Sequence, residues 1–279
     1  MSSVATIDFH VTSECSQACP YCWGPQGVAQ VDTDTALEIV AKIADSGARR
    51  IVFTGGDPMQ RGDIGTLIHA AKQRGLEVAL STTGDELSAG FLEKCGADID
   101  LVSLPLDGSN EQVSSRTKNP GHFGAVVEAL GMLAQHPSID VKVATPVTRS
   151  NIDDVPNIVA LLDRYAVQVP NRVFYNVFQA FPRSMDPEVR WEDMVVTDDE
   201  FSALEEHVQG SSIQINWLDH DTLDKLYVMV FPDGRLTVPV GSRFTFYGDF
   251  LTIDDLDEVL RRAEFDAEKH RLHAEGWSK

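Results

Sequence analysis

The sequence predicts an α/β fold: an open, partial (β/α)6 barrel, followed by a small β-rich carboxyl-terminal extension and a final helix. Three observations carry this reading. Strand-like runs alternate with helix-length amphipathic segments six times in succession, which favours a parallel sheet with helices outside. The runs are rich in β-branched and aromatic residues. The residues with the most evident chemistry follow directly after strands, where parallel α/β sheets place their sites.

Taken in order, the spacing predicts strand 4–11, helix 34–47, strand 50–54, helix 63–74, strand 77–82, helix 86–95 and strand 99–104. Helix 122–135, strand 140–146, helix 152–166 and strand 172–179 continue the period. A helix over 197–208 follows, and then the pattern shortens to strands near 213–217, 227–230 and 236–239, the last two joined by the turn Pro232-Asp233-Gly234. A helix at about 253–272 ends the chain. The expected division is 1–210 for the barrel and 211–279 for an extension packed on it within one structural domain. At 279 residues and 43% hydrophobic composition the chain can bury a full core.

A net charge of −20 opposes binding to long nucleic acid, whose phosphates would be repelled over most of the surface. The acidic runs Asp198-Asp199-Glu200 and Asp254-Asp255-Leu256-Asp257-Glu258 read as solvated helix N-termini. Met1-Ser2-Ser3 lacks the regions of a signal peptide and no apolar run reaches spanning length, so a cytoplasmic, membrane-free setting is expected.

Three of the four cysteines, Cys15, Cys19 and Cys22, fall within eight residues after the first strand. A structural zinc site wants four ligands and a disulfide two, whereas a [4Fe–4S] cluster on three cysteines leaves one iron open to an outside ligand. Spacing alone leaves open a zinc site completed by a distant histidine, or reduced core cysteines. Cys95 has no neighbour at ligand spacing and reads as a small apolar residue.

The C-x3-C-x2-C loop after a first strand resembles the signature of the radical S-adenosylmethionine (SAM) family. The resemblance implies that Cys15, Cys19 and Cys22 hold a [4Fe–4S] cluster whose free iron takes SAM. One electron from an external flavodoxin- or ferredoxin-type reductant then releases a 5′-deoxyadenosyl radical. Tyr21, before the third cysteine, would pack beside the adenine. After the second strand, Gly55-Gly56-Asp57-Pro58 resembles the family's Gly-Gly-Glu motif, which holds the SAM amino group. After the fourth, Ser103, Asp107-Gly108, Arg116 and Gly121-His122-Phe123 resemble a stretch in which the serine meets the SAM ribose and the arginine its carboxylate.

No cysteine follows Cys95, which excludes cysteine-bound auxiliary clusters in the second half. The segment from Val141 to Asp154, with the later Asn176-Val177-Phe178-Gln179, is similar to viperin, the family member that dehydrates CTP. Where viperin has two basic residues for the triphosphate, this chain has Phe174 and Asn176, so a free triphosphate is a poor substrate. Strand alternation puts Phe174 and Asn176 inward with Gln179 at the rim. The segment from Ala180 to Pro187 reads as a lid carrying Arg183, and Tyr247 is a candidate hydrogen-atom donor.

The expected activity is hydrogen abstraction from a small polar metabolite in a biosynthetic pathway. The substrate and the fate of its radical are not written in these motifs. The alternatives are modification of a peptide or protein, activation of a partner enzyme, and a non-catalytic zinc scaffold.

Overall fold

The six runs form strands β1 (Thr6–Thr12), β2 (Arg50–Gly55), β3 (Glu77–Ser81), β4 (Leu101–Pro105), β5 (Asp140–Val147) and β6 (Val173–Gln179) in the computed structural model, which describes residues 4–182 and 190–276. They pair in sequence order, all parallel. Between them lie α1 (Thr33–Asp45), α2 (Ile64–Gln73), α3 (Ala89–Cys95), the single turn α4 (Glu111–Ser114), α5 (His122–Leu133) and α6 (Val155–Ala166). Caps set the helix starts: Asp32 accepts from Thr35 N at 2.9 Å ahead of α1, and Ser88 from Phe91 N at 3.3 Å ahead of α3.

The two faces of each strand have different neighbours. Ile7, Phe9 and Val11 of β1, Ile51 and Phe53 of β2, and Tyr175 and Val177 of β6 are buried in the apolar layer shared with the helices. The opposite face points into the barrel. There Val52, Ala79, Leu101 and Phe174 form a small apolar layer, and polar residues such as Asp8, His10, Ser103 and Lys142 alternate with them.

The run near 213–217 is β7 (Gln214–Leu218), and it pairs in parallel with β6 rather than joining a separate β region. Parallel pairing needs a crossover of a dozen or more residues, and α7 (Asp198–His207) supplies it. The next strands go to the other edge. After α8 (His220–Leu223), β8 (Met229–Val230) pairs in parallel with β1, and β9 (Arg235–Val240) and β10 (Arg243–Asp249) add antiparallel. The sheet order is β10-β9-β8-β1-β2-β3-β4-β5-β6-β7, so the barrel stays open.

The expected last helix is two, α9 (Leu256–Arg262) and α10 (Ala267–Glu275), because Glu264 takes a left-handed φ of 52° that ends α9. The acidic runs lie at helix N-termini, with Thr197 and Glu200 forming a reciprocal capping box on α7 and Asp255 accepting from Glu258 N at 2.9 Å on α9.

The position of α10 matters for the site. His270 Nε2 accepts from Ala5 N and Thr6 N at 3.1 and 3.0 Å, and its Nδ1 donates to Leu226 O at 2.8 Å. Arg50 Nη1 donates to Ala274 O at 3.2 Å, and Gln214 Nε2 donates to Gly276 O. The helix therefore runs beneath the amino ends of β1, β2 and β7 and floors the barrel. Among the described residues no helix is long and apolar enough to cross a membrane.

Candidate active site

The cysteine loop leaves the carboxyl end of β1 and is stitched to the end of β2. Gly56 N donates to Thr12 O at 2.8 Å and Asp57 N to Glu14 O at 2.7 Å. This contact explains both glycines. A Cβ on Gly55, whose φ is 143°, would lie 2.3 Å from Thr12 O, and one on Gly56 2.2 Å from Glu14 O. The far side of the loop is tied by Ser16 Oγ and Gln17 Nε2, which donate to Asp85 at 2.5 and 2.6 Å, and by Asn119 Nδ2, which donates to Ser16 O at 2.8 Å.

Cys15, Cys19 and Cys22 all line one cavity of about 310 Å³ at the carboxyl ends of the strands, together with Tyr21, Gly55, Gly56 and Ser103. Burial pushes the Cys15 thiol up to about 11 and raises that of Cys22. A bound cation reverses this, since metal ligation takes the thiolate form. Among the described residues no three His, Cys, Asp or Glu side chains are arranged to hold a single metal ion. Three thiols on one wall, a glycine cradle and a nearby cation fit a multi-iron cluster with an open iron.

That cation is Lys118, which the sequence reading missed. Its Nζ donates to Cys19 Sγ at 3.1 Å and lies 5.5 Å from the centre of the Tyr21 ring. Burial works against its charge, but Asp107 and the thiolates of Cys19 and Cys22 outweigh it and hold the ammonium above the usual lysine range. Asp107, fully buried, accepts from Tyr21 Oη and, at 2.6 Å, from Thr117 Oγ1. Lys118→Met should make the midpoint potential of a cluster held at Cys19 more negative, because a charged donor to that sulfur is lost. A redox titration followed by electron paramagnetic resonance reads this, and an unchanged potential removes the role.

Asp57 takes a different place from the one expected. It is wholly buried and accepts from Thr82 Oγ1 at 2.7 Å, Thr83 Oγ1 at 2.6 Å and Met59 N at 3.0 Å. The carboxylate thus braces Thr82 and Thr83, which do line the cavity. Arg116 is exposed, donates to Ser150 O at 2.7 Å and does not reach the cavity.

Of the expected substrate residues, Gln179 lines the cavity, and its Nε2 donates to Asp198 at 2.8 Å. Phe174 and Asn176 face inward as the alternation requires but lie outside the cavity lining. Phe174 sits in the apolar layer, and Asn176 Oδ1 accepts from Asn216 Nδ2 at 2.9 Å. Phe178, one step further along the same face, lines the cavity instead. Tyr247, half-buried on β10, packs against the outer core and is not part of the lining. Ala180 and Phe181 line the cavity, while Arg183 and the rest of the expected lid to residue 187 lie outside the described residues.

The inner end of the cavity is polar, which the sequence reading also missed. Asp8 and His10 from β1, Lys142 from β5 and His273 from α10 line it. The signal was present for three of them: Asp8, His10 and Lys142 are polar positions on the inward face of otherwise apolar strands. His273, some 260 residues along the chain from Asp8 and His10, carried none. Burial raises the Asp8 carboxyl, against the pull of Lys142 and Arg50, and lowers the Lys142 ammonium, against the pull of Asp8. Burial holds His10 at about 3 and, with the charges of Lys142, His270 and Arg50, His273 at about 3; it also lowers His270.

These shifts set a pH dependence. Four imidazoles, His10, His122, His270 and His273, are held below their ordinary 6.5 in the fold and take up protons on unfolding once pH falls below it, so each subtracts stability from there downward. Asp8, with a raised value, acts in the opposite sense, one group against four. The urea midpoint should therefore fall between about pH 7 and pH 5. A flat profile would contradict the neutral, buried assignment.

A parallel α/β barrel with a three-cysteine loop after its first strand and a glycine turn after its second defines a class of cofactor-binding fold. The family profile described as the radical SAM superfamily matches residues 9–162, more than half of the chain, and the chain belongs to that superfamily. The family works with a [4Fe–4S] cluster and SAM. An S-adenosylmethionine-dependent nucleotide dehydratase of Lacinutrix mariniflava is 25% identical over 286 residues, covering 96% of this chain and 57% of that protein. One of Flammeovirga pacifica is 25% identical over 246 residues, covering 83% and 81%. The chain thus spans little more than half the length of the first relative. Among solved structures, Streptococcus suis SuiB bound to S-adenosylmethionine superposes with a TM-score of 0.71 at 12% identity, covering 97% of this chain and 68% of that one. That likeness is one of fold.

Proposed function

We propose that this chain is a radical SAM enzyme that cleaves SAM reductively and removes a hydrogen atom from a small polar metabolite in a biosynthetic route. The observation that carries the proposal is the shared cavity: the three cysteines and the glycine turn stand at its mouth and a polar inner end lies within the barrel. When bound, the cluster and SAM supply one-electron cleavage of a sulfonium bond and a carbon radical.

The chain's own residues do the rest. Cys15, Cys19 and Cys22 hold the cluster, with Lys118 offsetting charge at Cys19. Tyr21, the Gly55–Gly56 backbone and Ser103 form the SAM wall, and Asp57 positions Thr82 and Thr83 along it. Lys118, whose Nζ already donates to Cys19 Sγ, lines the same wall, while the exposed Arg116 does not reach it. Phe178, Phe181, Trp191 and Tyr227 line the walls and exclude water, and they leave a substrate held by the polar inner end. An external one-electron donor of flavodoxin or ferredoxin type completes the system.

The test is anaerobic reconstitution with iron and sulfide, then dithionite and SAM. About four irons per chain and release of 5′-deoxyadenosine are expected. Colourless protein with one zinc and intact SAM would sink the proposal.

A further inference from the structure

We infer that the inner end of the cavity, lined by Asp8, His10, Lys142 and His273, is a substrate subsite. It takes an uncharged group that offers hydrogen-bond donors and acceptors side by side, as a nucleobase edge or a pair of sugar hydroxyls does, and it rejects phosphate. The inference rests on the enzyme reading above and deepens it by naming the chemistry of the substrate's buried end.

His10 carries the argument. It lines the cavity and is 6% exposed, yet neither ring nitrogen has a hydrogen-bond partner among the described residues. Its ring contact is apolar, with Phe231 at 5.3 Å between centroids. Two unsatisfied polar atoms on one buried side chain are uncommon unless something else supplies partners. A neutral imidazole has one N–H to donate and one nitrogen to accept, on opposite edges of the ring, so a partner at either edge is an uncharged polar group.

Charge decides what that partner is. Among the residues lining the cavity, Asp8, Lys118 and Lys142 bear charge, and Lys118 is engaged at Cys19 near the mouth. The inner end therefore holds one carboxylate and one ammonium whose charges already oppose each other, with Arg50 outside the lining and paired with Glu77 at 2.7 Å. A phosphate would bring negative charge into a desolvated site beside Asp8, with one cation shared between them. An uncharged edge accepts from Lys142, donates to Asp8 and pairs with His10, leaving no charge uncompensated.

The experiment uses protein loaded with cluster and SAM, kept anaerobic without reductant and labelled with 15N-histidine. Cytidine, ribose and inorganic pyrophosphate are titrated separately, and the His10 imidazole signal is assigned by its loss in His10→Phe. A saturable shift with cytidine or with ribose, and none with pyrophosphate, is expected. Cytidine alone identifies a base edge, and ribose a hydroxyl pair. His10→Phe should weaken the responding probe by about tenfold or more, and His10→Gln, which keeps a donor and an acceptor, should recover part of it. Should the variants not fold, calorimetric binding of the same three probes to the wild-type protein decides, with heat from cytidine or ribose and none from pyrophosphate expected. No shift with either uncharged probe, or an equal shift with pyrophosphate, overturns the subsite. Should reconstitution load no iron and release no deoxyadenosine, the same titration on the unloaded protein is read: a shift there overturns the radical SAM reading while the subsite stands.

Discussion

Cys15→Ala, Cys19→Ala and Cys22→Ala should each reduce iron from about four per chain to below about one after reconstitution, and bring deoxyadenosine release to background. The fold should survive each change. Cys15 is exposed and the other two are half-buried on a loop held chiefly through Ser16, Gln17 and the β2 turn; of the thiols, Cys15 accepts from Gln17 N at 3.4 Å and Cys19 from Lys118 Nζ at 3.1 Å. The apo protein's urea midpoint is therefore expected to stay near wild type for Cys15→Ala and Cys22→Ala and to fall for Cys19→Ala, which leaves the buried Lys118 ammonium without that acceptor. Cys95→Ala is the control: that side chain packs at the end of α3 beside Gly65 and should keep full iron and activity. A member of the trio whose loss leaves iron untouched would show that it is not a ligand.

Gly56→Ala should be, with Gly55→Ala, among the most damaging single methyl additions at the described glycines. Its Cβ would sit 2.2 Å from Glu14 O and 2.7 Å from Ser13 O, both backbone atoms of the cysteine loop, so no side-chain rotation relieves the contact. Overpacking of this kind costs up to about 3 kcal/mol. Here it also pushes the cysteine loop off β2, so iron loading should fall with stability. Gly62→Ala, whose Cβ would meet nothing within 4 Å, should change neither. Urea melts of the apo proteins with iron counts after reconstitution read both effects. A Gly56→Ala protein as stable and as iron-rich as wild type would mean that the loop does not rest on the glycine turn.

The match between pattern and fold has a simple physical origin. Each of the first six strands is flanked by an amphipathic helix that must bury one face, so local periodicity was enough to place both partners. The pattern was less informative after residue 210. The strands there are short, and nothing in Gln214–Leu218 or Met229–Val230 states that one joins the β6 edge and the other the β1 edge. That choice depends on the reach of α7 and on which edge still has unpaired backbone groups.

The site divides along the same line. The cysteine spacing and the Gly-Gly-Asp-Pro turn were legible because each motif is contiguous, and its chemistry needs those residue types within a few positions of one another. Arg116 and Lys118 lie two residues apart in one turn, and only the path of that turn sends the lysine to Cys19 and the arginine to Ser150. Asp57 was legible as a carboxylate but not as the acceptor for Thr82 and Thr83, which come from the next strand's end. The polar inner end required a longer reach still. Asp8 and His10 from β1, Lys142 from β5 and His273 from the last helix meet because the sheet curls and α10 floors it. Short-range spacing in the chain thus sufficed for the family and the order of the first six strands, and it brought the three cysteines to one cavity. Which polar groups share the cavity, and with it the kind of substrate it accepts, was decided by long-range packing that no local pattern encodes.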